Sequence, residues 1–393
     1  MRVLMVSDVY FPRVNGVSTS IETFRHTLAG QGVEVRLVVP RYADEGEAPG
    51  IVRVPGRPVP RDPEDRLVGW RAMHRAVLEA AADCDLIHVQ TPFIAHYAGL
   101  KAARRLGLPV LATYHTLFEE YIEYYAPFLP GSWLRSQARR LSRSQCNALD
   151  AVVVPSTAMR QRLTDYGVNV PMHVLPTGIP LARFAAGDGL AFRAAHGIAP
   201  ERPVALFVGR VAHEKNIAFL FEALLEARRQ LPDILLVVAG EGPAMGDLRA
   251  RVDQLGLNDA VRFIGYLDRQ RGLPDCYAAA NVFAFASRTE TQGLVLLEAM
   301  AAGLPVVALS AMGTADILDG GRGCFTPPDD PRAFGEVLGH ILANPAAWGH
   351  LAEEARGLAD EWSDTAMAGR LAACYRELIH ARRPAATTVT AGA

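Results

Sequence analysis

The sequence predicts an α/β protein of two doubly wound domains, and three observations predict it. The chain has 393 residues, more than a single hydrophobic core usually serves. Short apolar runs alternate with amphipathic stretches, as in a parallel sheet covered by helices. The alternation stops at a stretch holding Pro171, Pro176, Gly178 and Pro180, from Met172 to Phe184, and then begins again. Half of the residues are hydrophobic and 21% are charged, which excludes disordered and collagen-like chains.

The first half opens with an apolar run, Arg2 to Ser7, a loop ending at Gly16 and a helical pattern from Val17 to Ala29. Val33–Val39, Leu86–Val89, Pro109–Tyr114 and Ala151–Pro155 follow as strands, with helical stretches such as Tyr97–Leu106 between them. Beyond the interruption, Val204–Val208, Ile234–Ala239, Val261–Ile264, Val282–Ala286 and Pro305–Leu309 repeat the pattern. A first domain is therefore expected over residues 1–175 and a second over 176–365. A final helix over 366–382 and a Pro/Ala/Thr tail without structure over 383–393 complete the chain. Ligands of open parallel sheets bind beyond the carboxyl ends of the strands, so the two domains are expected to face a central cleft.

No apolar run reaches the eighteen or so residues of a membrane span, and Val3–Val6 is too short for a secretory signal, so a cytoplasmic protein is expected. Cysteines 84, 146, 276, 324 and 374 lack the spacing of a disulfide framework or a zinc site. Residues 1–180 carry 20 basic and 17 acidic side chains, and residues 181–393 carry 20 and 25. This excludes a nucleic-acid partner bound by bulk positive charge. Of the 40 basic residues only Lys101 and Lys215 are lysines.

Lys215 stands in Gly209-Arg210-Val211-Ala212-His213-Glu214-Lys215-Asn216, at the carboxyl end of a strand. Arg210 offers a fork for phosphate oxygens and Lys215 a compact charge, a pair suited to a diphosphate. A second segment, Ser287 to Gly303, carries Glu290 and Glu298 eight apart. Its helix starts near Gly293, and the amides of Gly293, Leu294 and Val295 form a positive end that attracts an anion. Glu298 lies in an apolar helix and must find a partner: a ribose diol, or neighbouring groups of the chain itself.

In the first half, Asn15-Gly16-Val17-Ser18 places a glycine where a loop meets its helix. This is not the Gly-x-Gly-x-x-Gly fingerprint, which argues against nicotinamide and flavin. His115 follows a strand and is the histidine expected to touch a sugar, whereas His88 lies inside a strand and reads as structural. Asp83-Cys84-Asp85 has a metal-binding form but precedes its strand, on the side away from ligands, so no metal is assigned to it. Arg135, Arg139, Arg140 and Arg143 share a helical stretch with Trp133 and no acid. That stretch suits an anionic bilayer or is a solvated helix face. The upstream aromatics, Phe118, Tyr121, Tyr124, Tyr125 and Phe128, line an acceptor groove or belong to a core.

Together these motifs resemble the retaining family 4 glycosyltransferases of GT-B fold, over essentially the whole chain. The resemblance implies two Rossmann-like domains, a final helix crossing back onto the first, and a nucleotide-sugar donor held mainly by the second, with no cofactor and no metal. Arg210 and Lys215 would contact the diphosphate, Gly16 and residues 293–295 the phosphate and sugar, Glu290 the sugar hydroxyls and Glu298 the ribose. Tyr266 and Leu267 would hold the base, and His115 the transferred sugar. The segments Thr113–Tyr121 and Ser7–Ser18 are similar to members acting on diacylglycerol-type lipids and to mannosyl and sulfoquinovosyl relatives. Glucose or mannose is then the expected sugar, UDP or GDP the leaving group, and a membrane lipid or other glycan the acceptor, with peripheral contact to the membrane. Thr177-Gly178-Ile179-Pro180 and Gly313-Thr314-Ala315-Asp316 depart from the family's usual Asn-Gly-x-Asp and Gly-Gly-x-x-Glu. A hydrolase or epimerase of the same fold, or a nucleotide-sugar sensor, are the alternatives.

Overall fold

The computed structural model describes residues 1–382 except 14, 44, 47, 60, 61 and 116–130. Its first sheet contains β1 (Arg2–Val6), β2 (Glu34–Arg41), β3 (Ile51–Val59), β4 (Asp62–Val68), β5 (Leu86–Val89), β6 (Val110–Thr113), β7 (Ala151–Val154) and β8 (Met172–Val174). The order is β4-β3-β2-β1-β5-β6-β7-β8, parallel except for the β3–β4 pair. β5 and β7 are buried at every position, as central strands covered on both faces must be. The second sheet contains β9 (Val204–Val208), β10 (Leu235–Ala239), β11 (Val261–Gly265), β12 (Val282–Phe285), β13 (Val306–Ala308) and β14 (Cys324–Phe325). It is parallel throughout, in the order β11-β10-β9-β12-β13-β14.

Each sheet starts in its middle and reverses direction there, between β1 and β5 in one and between β9 and β12 in the other. Such reversal points open a crevice at the carboxyl ends of the two strands. Two compact units result, Met1–Thr177 together with Met367 onward, and Gly178–Ala366. In the first unit, Tyr375 of the helix Asp364–Arg382 is fully buried, and its hydroxyl lies 2.6 Å from His88 Nδ1.

Two features differ from the sequence expectation. The β3–β4 hairpin holds Pro55, Pro58 and Pro63 with several arginines, a composition that hides strands and is tolerated at a sheet margin because a proline cannot donate to a ladder. Met172–Val174, inside the stretch read as a linker, pairs with Val152–Val154 as β8 and satisfies the open edge of β7.

All five cysteines are buried and unpaired with one another. Among the described residues no helix is long and apolar enough to cross a membrane, and no three His, Cys, Asp or Glu side chains cluster as a metal site. Asp83 and Asp85 sit at the amino edge of the first sheet. Arg36 donates to Asp83 at 2.6 Å, and the Arg2 amide donates to Asp85 at 2.7 Å.

Candidate active site

In the second unit, a single turn, His213–Lys215, follows β9. The next residue, Asn216, takes the left-handed conformation at φ 55, which asparagine tolerates better than most residues. Its side-chain amide donates to the Ala286 carbonyl at 3.1 Å, tying the loop after β9 to the end of β12. Lys215 Nζ is thereby held over the reversal point, where it donates to Glu290 Oε1 at 2.6 Å. Both side chains are mostly buried, 20% and 17% exposed. Arg210 does not join them: it is 57% exposed and paired with Glu214. Each cation therefore has its own carboxylate, with which an incoming anion must compete.

Glu290 is fixed through its backbone. The Gly313 amide donates to its carbonyl at 2.8 Å, an approach so close that a Cβ on Gly313 would fall 2.2 Å from the Thr291 oxygen. Gly293, at φ +90, caps the helix Leu294–Ala301, which starts one residue beyond it. The amides of Leu294 and Val295 come before the helical ladder and carry the positive end of the helix.

Glu298 is 1% exposed. Its carboxylate accepts from Tyr277 Oη at 2.9 Å and from the guanidinium of Arg269. The sequence left two partners open, and groups of the chain itself take the place. Arg269 had no local signal, lying 29 residues before Glu298; only the need of a buried acid for a donor pointed toward such a group. The charge of Glu298 raises the pKa of Arg269. Burial first, and then Glu298, push the Tyr277 hydroxyl well above its usual range, so it remains a donor. Tyr266, 67% exposed, and Leu267, half-buried, follow β11 in the same loop as Arg269.

In the first unit, Gly16 opens the helix Gly16–Ala29, and a Cβ placed there would meet nothing within 4 Å, so a ligand can approach the backbone. Asn15 accepts from the Ser18 amide and caps that helix. His115 lies two residues past β6, with Nε2 2.9 Å from Gln90 Oε1. Burial lowers its pKa to about 4, which makes the imidazole neutral near pH 7. Asp8, beyond β1, accepts from Thr91 Oγ1 at 2.7 Å and from the Ala95 amide at 3.1 Å. It caps the helix Ile94–Leu106, whose own N-cap residue, Phe93, makes no side-chain bond there. Burial lifts Asp8 to about 6, against the pull of those hydrogen bonds. Sequence reasoning missed Asp8 and Gln90; Asp8 reaches Thr91 only because β1 and β5 are neighbours, and Gln90 reaches His115 only because β5 and β6 are. His88 is structural: its ring is bonded to Tyr375 and Thr113, and burial takes its pKa down to about 3, with His115 adding to the shift.

Trp133, Arg135, Arg139, Arg140 and Arg143 are exposed on the helix Gly131–Cys146, above buried Leu134 and Ala138. Arg139 lies 5.5 Å over the ring of Tyr166, and with Arg140, Arg143 and Arg162 it lines a shallow basic depression. Tyr121 and its aromatic neighbours lie outside the described residues.

Residues 14–183 match the family described as Glycosyltransferase Family 4, and residues 190–358 match Glycosyl transferases group 1. The alpha-monoglucosyldiacylglycerol synthase of Streptococcus pneumoniae is 36% identical over 322 residues, covering 78% of this chain and 71% of that protein. The chain belongs to the family 4 glycosyltransferases. The protein of the same name from Acholeplasma laidlawii is 27% identical to this glycosyltransferase over 396 residues, 96% of this chain and 98% of that one. The solved structure of Anabaena HepE in complex with UDP matches at a TM-score of 0.76 and 18% identity, over 96% of this chain and all of the other. The fold of this family 4 glycosyltransferase is GT-B, built from the two Rossmann-like units described above.

Proposed function

We propose that this glycosyltransferase moves a hexose, glucose or mannose, from a nucleoside diphosphate sugar to a hydroxyl group of a membrane lipid or glycolipid, with retention at the anomeric carbon and without a metal ion. The observation that carries the reading is the Lys215–Glu290 pair at the β9–β12 reversal point, beside the start of the helix Leu294–Ala301. A cation, a sugar-binding carboxylate and free helix amides then serve one phosphorylated sugar.

In this reading Lys215 and Arg210 take the diphosphate with Gly293, Leu294 and Val295. Glu290 accepts from sugar hydroxyls, Glu298 from the ribose, and Tyr266 and Leu267 hold the base. Gly16 approaches the phosphate and sugar, and His115 the transferred sugar near the reacting carbon. As the bond to the diphosphate breaks, negative charge grows on the leaving oxygen and is met by Lys215, Arg210 and the helix amides, while the acceptor hydroxyl enters from the same face. Donors placed in advance around a growing anion lower a barrier by several kcal/mol, about 3–4 for a single donor.

A lipid acceptor is supported by the names of the two synthases and by the exposed Trp133, Arg135, Arg139, Arg140 and Arg143. Each arginine near an anionic surface adds about 1 kcal/mol of attraction, enough together for peripheral binding on the cytoplasmic side of a membrane. The test is release of UDP or GDP from a panel of donor sugars, with and without vesicles containing diacylglycerol, in the presence and absence of EDTA. One donor should be consumed, only with the lipid, giving an α-linked product and indifferent to the chelator. Donor consumption without an acceptor would assign a hydrolase or epimerase instead, and inhibition by EDTA would overturn metal independence.

A further inference from the structure

We propose that Arg269 sets the ribose specificity of the donor subsite: its guanidinium occupies the Glu298 carboxylate that a ribose diol would take, so ribose recognition requires this side chain to turn away. The inference rests on the reading of Glu298 as the ribose acceptor.

Three observations lead to it. Glu298 is 1% exposed, so a ligand reaches its oxygens only if a neighbour moves. Of the two groups bonded to those oxygens, Tyr277 is fixed: it is fully buried in the helix Gly272–Ala278, with its ring edge-on to Phe184 at 5.7 Å and tilted against Phe283 at 5.9 Å. Arg269 is the partner that reaches solvent, with a side chain 37% exposed.

The backbone beneath Arg269 is anchored as well. The carboxylate of Asp268 accepts from the amides of Gln270, Arg271 and Gly272 at 3.0, 2.9 and 3.1 Å. The guanidinium can therefore swing about its own side-chain bonds while the loop that carries Tyr266 and Leu267 stays in place. A cis-diol presents two O–H donors to a carboxylate, the same number of contacts that a guanidinium fork can make. Arg269 and the ribose are thus direct competitors for one buried group. Tyr277 stays bonded to Glu298 in both states.

The consequence is measurable as a ratio of affinities. In the native protein much of the gain from the diol is spent in displacing Arg269, so UDP or GDP should bind only slightly more tightly than its 2′,3′-dideoxy counterpart. In Arg269→Met the diol finds a carboxylate already vacant, and the preference for the ribonucleotide should rise about tenfold, the worth of one charge-assisted hydrogen bond. Titration calorimetry with UDP, GDP and both dideoxy forms reads this ratio, which a change in general stability would not move. Arg269→Gln keeps one donor for Glu298 and serves as the second variant if the first does not fold; a smaller rise in the same direction is expected. An unchanged or reduced ratio in the folded variants overturns the proposal and makes Arg269 a direct ligand or a purely structural partner. If the native protein binds neither UDP nor GDP, the reading of the donor site itself fails, and the two failures are thereby told apart.

Discussion

Lys215 Nζ stands 2.6 Å from Glu290 Oε1 across the two strands between which the second sheet reverses. The ammonium is partly neutralised before any ligand arrives, and the carboxylate is aimed by the same contact. The two residues act as one device.

Lys215→Ala should lower kcat by about 10²–10³, the effect of losing one donor to a growing anion, with a smaller change in acceptor KM. Glu290→Gln should reduce turnover as well. Because the two groups share a contact, the double variant should lose less than the product of the single losses. Steady-state kinetics on the four proteins checks this; strictly multiplicative losses would show that the pair does not act together.

His115→Ala should keep donor binding and lose transfer, and Gln90→Leu should move in the same direction by freeing the imidazole. Gln90→Glu gives a sharper result. A carboxylate beside Nε2 favours the imidazolium, whereas burial now holds the ring down at about 4. Among the described residues, Asp8 and His88 also titrate in this part of the first sheet, and both stay in place. The acid limb of the kcat profile should therefore move up toward neutral pH in Gln90→Glu, and an unmoved limb would separate Gln90 from the reaction.

His88 predicts an acid weakness of the fold. The unfolded chain binds a proton at this residue near its ordinary pKa of 6.5, while the folded chain refuses it until about 3. Stability is then lost as pH falls below 6.5, by about 2 kcal/mol down to pH 5 for this group alone. His88→Gln should flatten that part of the curve, as read from urea midpoints at pH 7 and pH 5. The same slope in both proteins would assign the loss to other groups.

Gly293→Ala should cost about 1–3 kcal/mol of stability, since φ +90 strains any side chain and a Cβ would stand 3.0 Å from Thr314 Cγ2. The donor KM should rise as well, because the strain is relieved by moving the amides that follow. An unchanged KM would argue that those amides do not meet the donor.

Both sheets were legible because their central strands are unbroken apolar runs separated by helical patterns, and the loops after β9 and β12 could be placed at carboxyl ends on that basis alone. Lys215 and Glu290 were found in this way. That Glu298 needs a donor could be read from its apolar helix, but that Arg269 supplies it could not, since the two residues share no helix face or strand register. Arg210 and Lys215 are close in sequence, and each contacts a different carboxylate, which their spacing does not encode. Asp8 and Gln90 looked like ordinary polar loop residues, and their contacts with Thr91 and His115 depend on which strands become neighbours, which no local pattern encodes.

Tyr375, the partner of His88, lies 287 positions further along the chain. During synthesis, every residue of the second unit leaves the ribosome before Met367 and the rest of the helix that completes the first. A nascent chain therefore carries an unfinished first unit through most of its translation, with the surface that Met367, Leu371 and Tyr375 will cover still open to water. Any product stopped short of residue 367 keeps that apolar surface bare, and proteases and chaperones would sort truncated copies from finished ones by it.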